Sequence, residues 1–173
     1  DPLWSRGLGD VYKRQVWIDG REAAAIDWKD RRFLFGYVEQ SFHRVAGTVK
    51  DQITLYDEKI SMENVKEAAE LTGLHDTIMH LPDGYDTICT PELFSQGQWQ
   101  LLSIARAAAA RPKLLLLDEI TANLDAETEK EVLEALKRVS ENRTVISISH
   151  RVSAKMGRII PIEPVSYTHL TLP

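Results

Sequence analysis

No apolar run in this chain approaches the ~20 residues needed to cross a bilayer, so any membrane role is expected to come through a partner domain. Cysteine is almost missing: Cys89 stands alone, which excludes an internal disulfide and fits a reducing compartment. The opening residues lack an apolar core of the kind a signal peptide carries. Positive charge is not in excess either. The net charge of −5 argues against a nucleic-acid surface, and no nucleic-acid partner is expected. Gly-Lys, the pair that closes the phosphate loop G-x-x-x-x-G-K-[ST], occurs nowhere; Gly7, Gly9 and Lys13 have the wrong spacing for it. What remains is an ordinary soluble balance, 43% hydrophobic and 27% charged over 173 residues, long enough for one domain with a real core.

The stretch that organises the chain runs from Phe94 to Asp125. Four consecutive leucines, Leu114 to Leu117, read as a strand buried on both faces, as a central parallel strand would be. Asp118 and Glu119 follow at once. Ligands of open parallel α/β sheets bind beyond the carboxyl ends of the strands, so these acids would sit where a Mg-nucleotide site needs them. For Asp-Glu alone, a solvated acidic turn is the simpler reading. The neighbours change that. Ser95 is a good N-cap for a helix over 96–110, built on Leu101, Leu102, Ala105 and the run Ala107 to Ala110. Gly97 lies in its first turn, where free amides attract phosphate and backbone can approach a ligand.

Phe94-Ser95-Gln96-Gly97-Gln98 resembles the signature motif of ATP-binding cassette (ABC) proteins. Leu114 to Glu119 resembles their Walker B strand, and Asn123-Leu124-Asp125 their D-loop. Val16 to Gly20 reads as a short strand and turn, similar to the family's Ile-Asp-Gly. Phe33 to Val38 reads as a second strand, and Gln40 after it matches the Q-loop glutamine. Gly47 to Ile53 resembles the short helix that follows the Q-loop in exporter-type cassettes. Ser61 to Leu71 is a capped helix stopped by Gly73. Leu74 to Leu81 reads as another, closed by the turn 82–85. His75 and His80 have no metal-like partners and are read as structural or exposed. Asp125 caps a helix over 126–139 with an apolar stripe of Val132, Leu133, Leu136 and Val139; its charged residues are a solvated face. Thr144 to Ile148 is the next strand. His150 after it matches the H-loop histidine, although a lone His after a strand is ordinarily unremarkable. Arg158 to Ile162 could form one more strand.

The resemblance implies an α/β fold: a partial P-loop NTPase-like parallel sheet with an inserted helical subdomain over about 48–110 of a domain spanning 16–163. It implies ATP and Mg2+ as ligands. Asp118 would hold Mg2+ through water, and Glu119 would be the general base on the attacking water. Gln40 would serve both metal and water, and His150 the γ-phosphate. Ser95, Gln96, Gly97, Gln98 and Asp125 would face ATP held by a second nucleotide-binding domain in a head-to-tail dimer. A transmembrane domain would be the other partner, with the cassette on the cytoplasmic side of the membrane. The Walker A loop expected before Ile18 is absent, so this segment by itself is expected to be inactive.

Several positions depart from the family pattern. Gln96 and Phe94 stand in for Gly and Leu, as in exporter cassettes, and Ile120 stands for a frequent proline. The linker from Tyr85-Asp86-Thr87 to the signature is short, with Glu92 the candidate for the family's acidic residue. Residues 1–15 and 164–173 resemble translated sequencing-adapter strings and are set apart as artefactual ends, natural divergent tails being the alternative. A soluble ABC ATPase of translation or DNA repair is the alternative; the Gly-Thr-Val-Lys-Asp-Gln-Ile stretch and the Ser-Gln-Gly-Gln signature favour transport. A non-catalytic regulatory cassette is a third, opposed by the intact Asp118-Glu119 pair and His150.

Overall fold

The computed structural model describes residues 16–18, 20–121, 124–148 and 158. The segments 1–15 and 164–173, and most of the strand predicted over 158–162, lie outside them. The chain opens with a hairpin of β1 (Trp17–Ile18) and β2 (Arg21–Glu22), paired antiparallel. Gly20 turns it with a φ of 73°, a conformation that costs glycine nothing.

Helix α1 (Trp28–Leu34) then runs directly into β3 (Phe35–Val38). Sequence alone predicts strand from Phe33, but Phe33 and Leu34 finish the helix instead. Long-range bonding decides this: Arg32 in the last turn of α1 donates to the carbonyls of Thr54 and, at 3.0 Å, of Ile53. An aromatic run with strand propensity is overridden by such tertiary contacts.

The main sheet has three strands in the order β3, β4 (Leu114–Asp118), β5 (Thr144–Ile148), and both pairings are parallel. The register aligns Val38 with Leu117, and Asp118 with Ile148, so all three strands end at one edge. Alternation buries Leu115 and Leu117, at 1% and 5% exposure. Leu114 and Leu116 are only half-buried, which corrects the expectation of a strand buried on both faces. They share their face with register partners such as Tyr37 and Ile146, both exposed.

Four helices fill the long connection from β3 to β4: α2 (Val49–Thr54), α3 (Met62–Thr72), α4 (His75–Met79) and α5 (Gln96–Ala108). Three of these starts carry a side-chain cap and α4 has none. Thr48 and Asp51 form a reciprocal capping box on α2, and Ser61 caps α3 through the amide of Asn64. Gly73 closes α3 with a φ of 78°. Helix α4 is shorter than predicted. Pro82 disfavours helical backbone at the residue before it, and Leu81 makes a tighter bond to Ile78 instead. A 3-10 turn, Gly84–Asp86, follows.

Helix α5 is buried on nearly every side: Leu101, Leu102, Ile104, Ala105, Ala107 and Ala108 are all in the core. It packs on α2, α3, β3 and the last helix, α6 (Ala126–Ser140). Full burial of side chains such as Leu102 and Ile104 stabilises by roughly 1.5–3 kcal/mol each. Helix α6 buries Val132, Ala135, Leu136 and Val139, the predicted stripe with Leu133 at its half-buried margin. The consequence for function is mechanical: the amino end of α5 is held by a helix that cannot shift without disturbing the core.

Candidate functional site

The sheet edge gathers one group of predicted residues. Asp118 is the last residue of β4, and Gln40 lies two residues past Val38 on the adjacent β3. Gln40 is exposed and Asp118 half-buried. The hydroxyl of Tyr37 donates to Asp118 Oδ2 at 3.1 Å. His150 lies outside the described residues, as does Asn123; the chain reaches them from Ile148, which pairs with Asp118, and from Thr121.

Glu119 breaks the strand. Its φ of 47° is left-handed, a conformation that costs a residue with a Cβ about 1–2 kcal/mol. Two neighbours compensate. The Glu119 amide donates to Ile148 O at 3.0 Å, and the next residues, Ile120 and Thr121, return to the core at 7% and 4% exposure. The strand alternation therefore stops at Asp118, and Glu119 does not continue it.

The amino end of α5 gathers the second group. Ser95 Oγ accepts from the Gln98 amide at 3.2 Å, while Gln98 Oε1 accepts from the Ser95 amide at 2.9 Å. This capping box leaves the Ser95 hydroxyl proton available to a ligand. It also leaves the amides of Gln96 and Gly97, which no α-helix can satisfy internally. No acidic side chain lies in that first turn to oppose an anion. Gln96 is exposed, but Gly97 is buried, and the place of its missing Cβ is taken by Thr128 of α6. Helix packing is thus a reason for glycine at 97 that the sequence reading did not contain.

Asp125 caps α6. Its Oδ1 accepts from the amides of Glu127 and Thr128 at 3.1 and 3.0 Å, and its Oδ2 accepts the Thr128 hydroxyl at 2.6 Å. That hydroxyl, with the backbone amides, holds the carboxyl below the ordinary carboxylate range.

Aromatic rings connect the two groups. Phe42, just past Gln40, stacks on Trp99 with centroids 5.1 Å apart, and Phe94, just before Ser95, meets the same Trp99 edge-on at 5.1 Å. Gln100 Nε2 donates to Glu39 O at 3.4 Å. Beside this contact a cleft of about 320 Å³ opens, lined by Arg31, Tyr37, Glu39, Ser41, Leu55 and Arg106 among others. Arg106 donates to Gln52 O at 2.6 Å and His43 O at 2.9 Å, and lies 4.1 Å over the Phe42 ring. Burial, with Arg32 nearby, pushes its guanidinium down to about 10.

Tyr37, Thr128 and the Phe42–Trp99–Phe94 cluster escaped the sequence reading. Two had a local signal: the parity of Tyr37 with Val38 on β3, and the Asp-x-x-Thr spacing after the D-loop. The aromatic cluster had none, because Phe42 is far in sequence from Phe94 and Trp99.

Among the described residues no helix is long and apolar enough to cross a membrane. A sequence model described as ABC transporter matches residues 6–122. The ABC multidrug transporter MDR2 of Trichophyton tonsurans is 41% identical over 153 residues, covering 84% of this chain and 11% of that protein. The alpha-hemolysin translocation ATP-binding protein HlyB of Escherichia coli O157:H7 is 40% identical, covering 86% of this chain and 22% of its own length. The chain thus spans between about a tenth and a quarter of the curated relatives it matches. A bacterial Atm1-family ABC exporter solved with ATP bound superposes with a TM-score of 0.66 at 30% identity, over 86% of this chain and 28% of that one. The parallel sheet, the capped signature helix and these likenesses agree: the chain belongs to the ABC transporter family, in its exporter-type nucleotide-binding domain.

Proposed function

We propose that this chain is the catalytic and communicating part of a cassette that hydrolyses ATP to drive an exporter. The observation that supports the reading is the common sheet edge: β4 ends at Asp118, next to Glu119, and the parallel β3 ends at Val38, two residues before Gln40. Glu119 is the general base on the attacking water, its backbone turned out of the strand. Gln40 and His150 complete the surroundings of that water and of the γ-phosphate. The Ser95 hydroxyl and the first-turn amides of α5, with Asp125 alongside, face the phosphates of ATP carried by a second nucleotide-binding domain.

Mg2+ fits Asp118. Tyr37 occupies one carboxylate oxygen and leaves the other, and among the described residues no three His, Cys, Asp or Glu side chains come together. A Mg2+ ion at this edge would take one protein carboxylate and draw its other oxygens from phosphate and water. When bound, it neutralises charge developing on the phosphates.

The partners are a second cassette and a transmembrane domain, with this domain on the cytoplasmic side of the membrane. The relatives named as multidrug and toxin-translocation transporters support that setting over a soluble ATPase. The cleft beside Gln40 supports contact with the membrane domain through the same loop. The chain contains no Gly-Lys phosphate loop, and by itself it does not turn ATP over.

The test is made in the longer protein that carries a Walker A loop ahead of this segment. Asp118→Asn is expected to weaken Mg2+ and nucleotide binding. Glu119→Gln is expected to bind ATP normally but lose turnover, and to accumulate as an ATP-bound dimer. Hydrolysis by Glu119→Gln at near the parental rate would overturn the assignment.

A further inference from the structure

Gly97 in the first turn of α5 and Asp125 at the start of α6 belong to different motifs, yet both are held by one side chain. An added Cβ on Gly97 would overlap the Cγ2 methyl of Thr128 and lie 3.6 Å from its Cβ and Oγ1. The Thr128 hydroxyl donates to Asp125 Oδ2 at 2.6 Å, and its amide to Oδ1 at 3.0 Å. In a β-branched residue the methyl and the hydroxyl turn together about χ1, and on a helix that torsion has few allowed wells. Moving the methyl aside for a bulkier residue at 97 would swing the hydroxyl off Asp125. Conversely, losing the hydroxyl bond frees the methyl to leave the Gly97 pocket.

We propose that Thr128 is a positioning residue that fixes the signature turn to the D-loop turn, its methyl seated against Gly97 and its hydroxyl on Asp125. The proposal rests on the reading that both turns face nucleotide, and it adds why they keep one relative setting. Helix α5 cannot slide, because its other sides are buried. Asp125 is therefore held in one setting relative to the amides of Gln96 and Gly97 by one stiff side chain, with no flexible link between.

A four-variant cycle on the 173-residue chain tests the contact. Gly97→Ala is expected to lower the melting temperature by about 5 °C through overpacking. In a Thr128→Ser background, which keeps the hydroxyl and removes the methyl, the same change is expected to cost nothing or to stabilise, since alanine is the better helix former. An equal loss in both backgrounds would overturn the contact.

Thr128→Val keeps the methyl and removes the hydroxyl. Its amide NMR signals are expected to shift at Gly97 and Gln98 as well as at 125–128. Shifts confined to 125–128 would reduce Thr128 to a cap for its own helix and overturn the positioning role. None of these measurements uses nucleotide, so they stand or fall apart from the Glu119→Gln assay.

Discussion

The Tyr37 hydroxyl reaches across from β3 to donate to Asp118 of β4 at 3.1 Å. Tyr37 pairs with Leu116, so Asp118 is its diagonal neighbour on the same face, within reach of a long aromatic side chain. The bond to this carboxylate, with the charge of Glu39 nearby, holds the phenol above its ordinary ionisation range. Tyr37 is 46% exposed, and its ring contributes little to the core. Tyr37→Phe is therefore expected to keep the melting temperature within about 2 °C. A thermal melt followed by circular dichroism checks this, and a loss of several degrees would mean that the phenol carries structural load.

ATP binding by the chain alone is expected to be absent. The phosphate loop supplies most backbone contacts to the β- and γ-phosphates, and its Gly-Lys pair is not in the sequence. Titration of a fluorescent ATP analogue with Mg2+ is expected to give no saturable signal. A dissociation constant in the micromolar range would refute this.

Gly36 in β3 separates packing from backbone strain. A Cβ there would lie 2.5 Å from the carbonyl oxygen of Ala107 and 2.9 Å from Leu115 Cδ2. The oxygen belongs to the buried helix α5 and cannot yield, so Gly36→Ala is expected to cost about 2–3 kcal/mol by overpacking. At Gly20 nothing lies within 4 Å and only the positive φ opposes a side chain, so Gly20→Ala is expected to cost about 1 kcal/mol. Urea unfolding of the two variants gives the order, and a reversed order would show that β3 can move away from α5.

Alkaline pH is expected to destabilise the fold. Burial, aided by Asp51, pushes the Cys89 thiol up to about 11, and burial, aided by Glu70, pushes the Tyr85 phenol up to about 12. Both acids hold their protons more tightly when folded, so their contribution is complete below the unfolded values, about 9 and 10. It falls as pH rises through the window up to about 12, where the unfolded chain has already released those protons. Tyr85→Phe is expected to flatten the upper part of this decline, though it also loses the 2.9 Å bond to His75 Nδ1. Melting temperature against pH for both proteins checks it. The same shift predicts that Cys89 is alkylated far more slowly at pH 8 in the folded chain than in denaturant.

Local chemistry determined much of this protein on its own. Ser61, Ser95 and Asp125 cap helices because their oxygens reach amides three residues on, and Gly73 stops a helix because it alone accepts a positive φ cheaply. Leu114 to Asp118 is a strand because its apolar run is short and bounded. The motifs named the family from their order and spacing alone. Tertiary structure decided what depends on residues distant in sequence. Arg32 bonding to Ile53 and Thr54 kept Phe33 in a helix. The register of three parallel strands set Tyr37 diagonal to Asp118 and ended β3 and β4 at one edge, and the Glu119 amide, past the end of β4, bonds to β5. The packing of α6 on α5 gave Gly97 a neighbour that no local pattern contains. A cap closes over three or four residues and is written in that span, whereas a packing contact is fixed only when two separate elements bury their faces together.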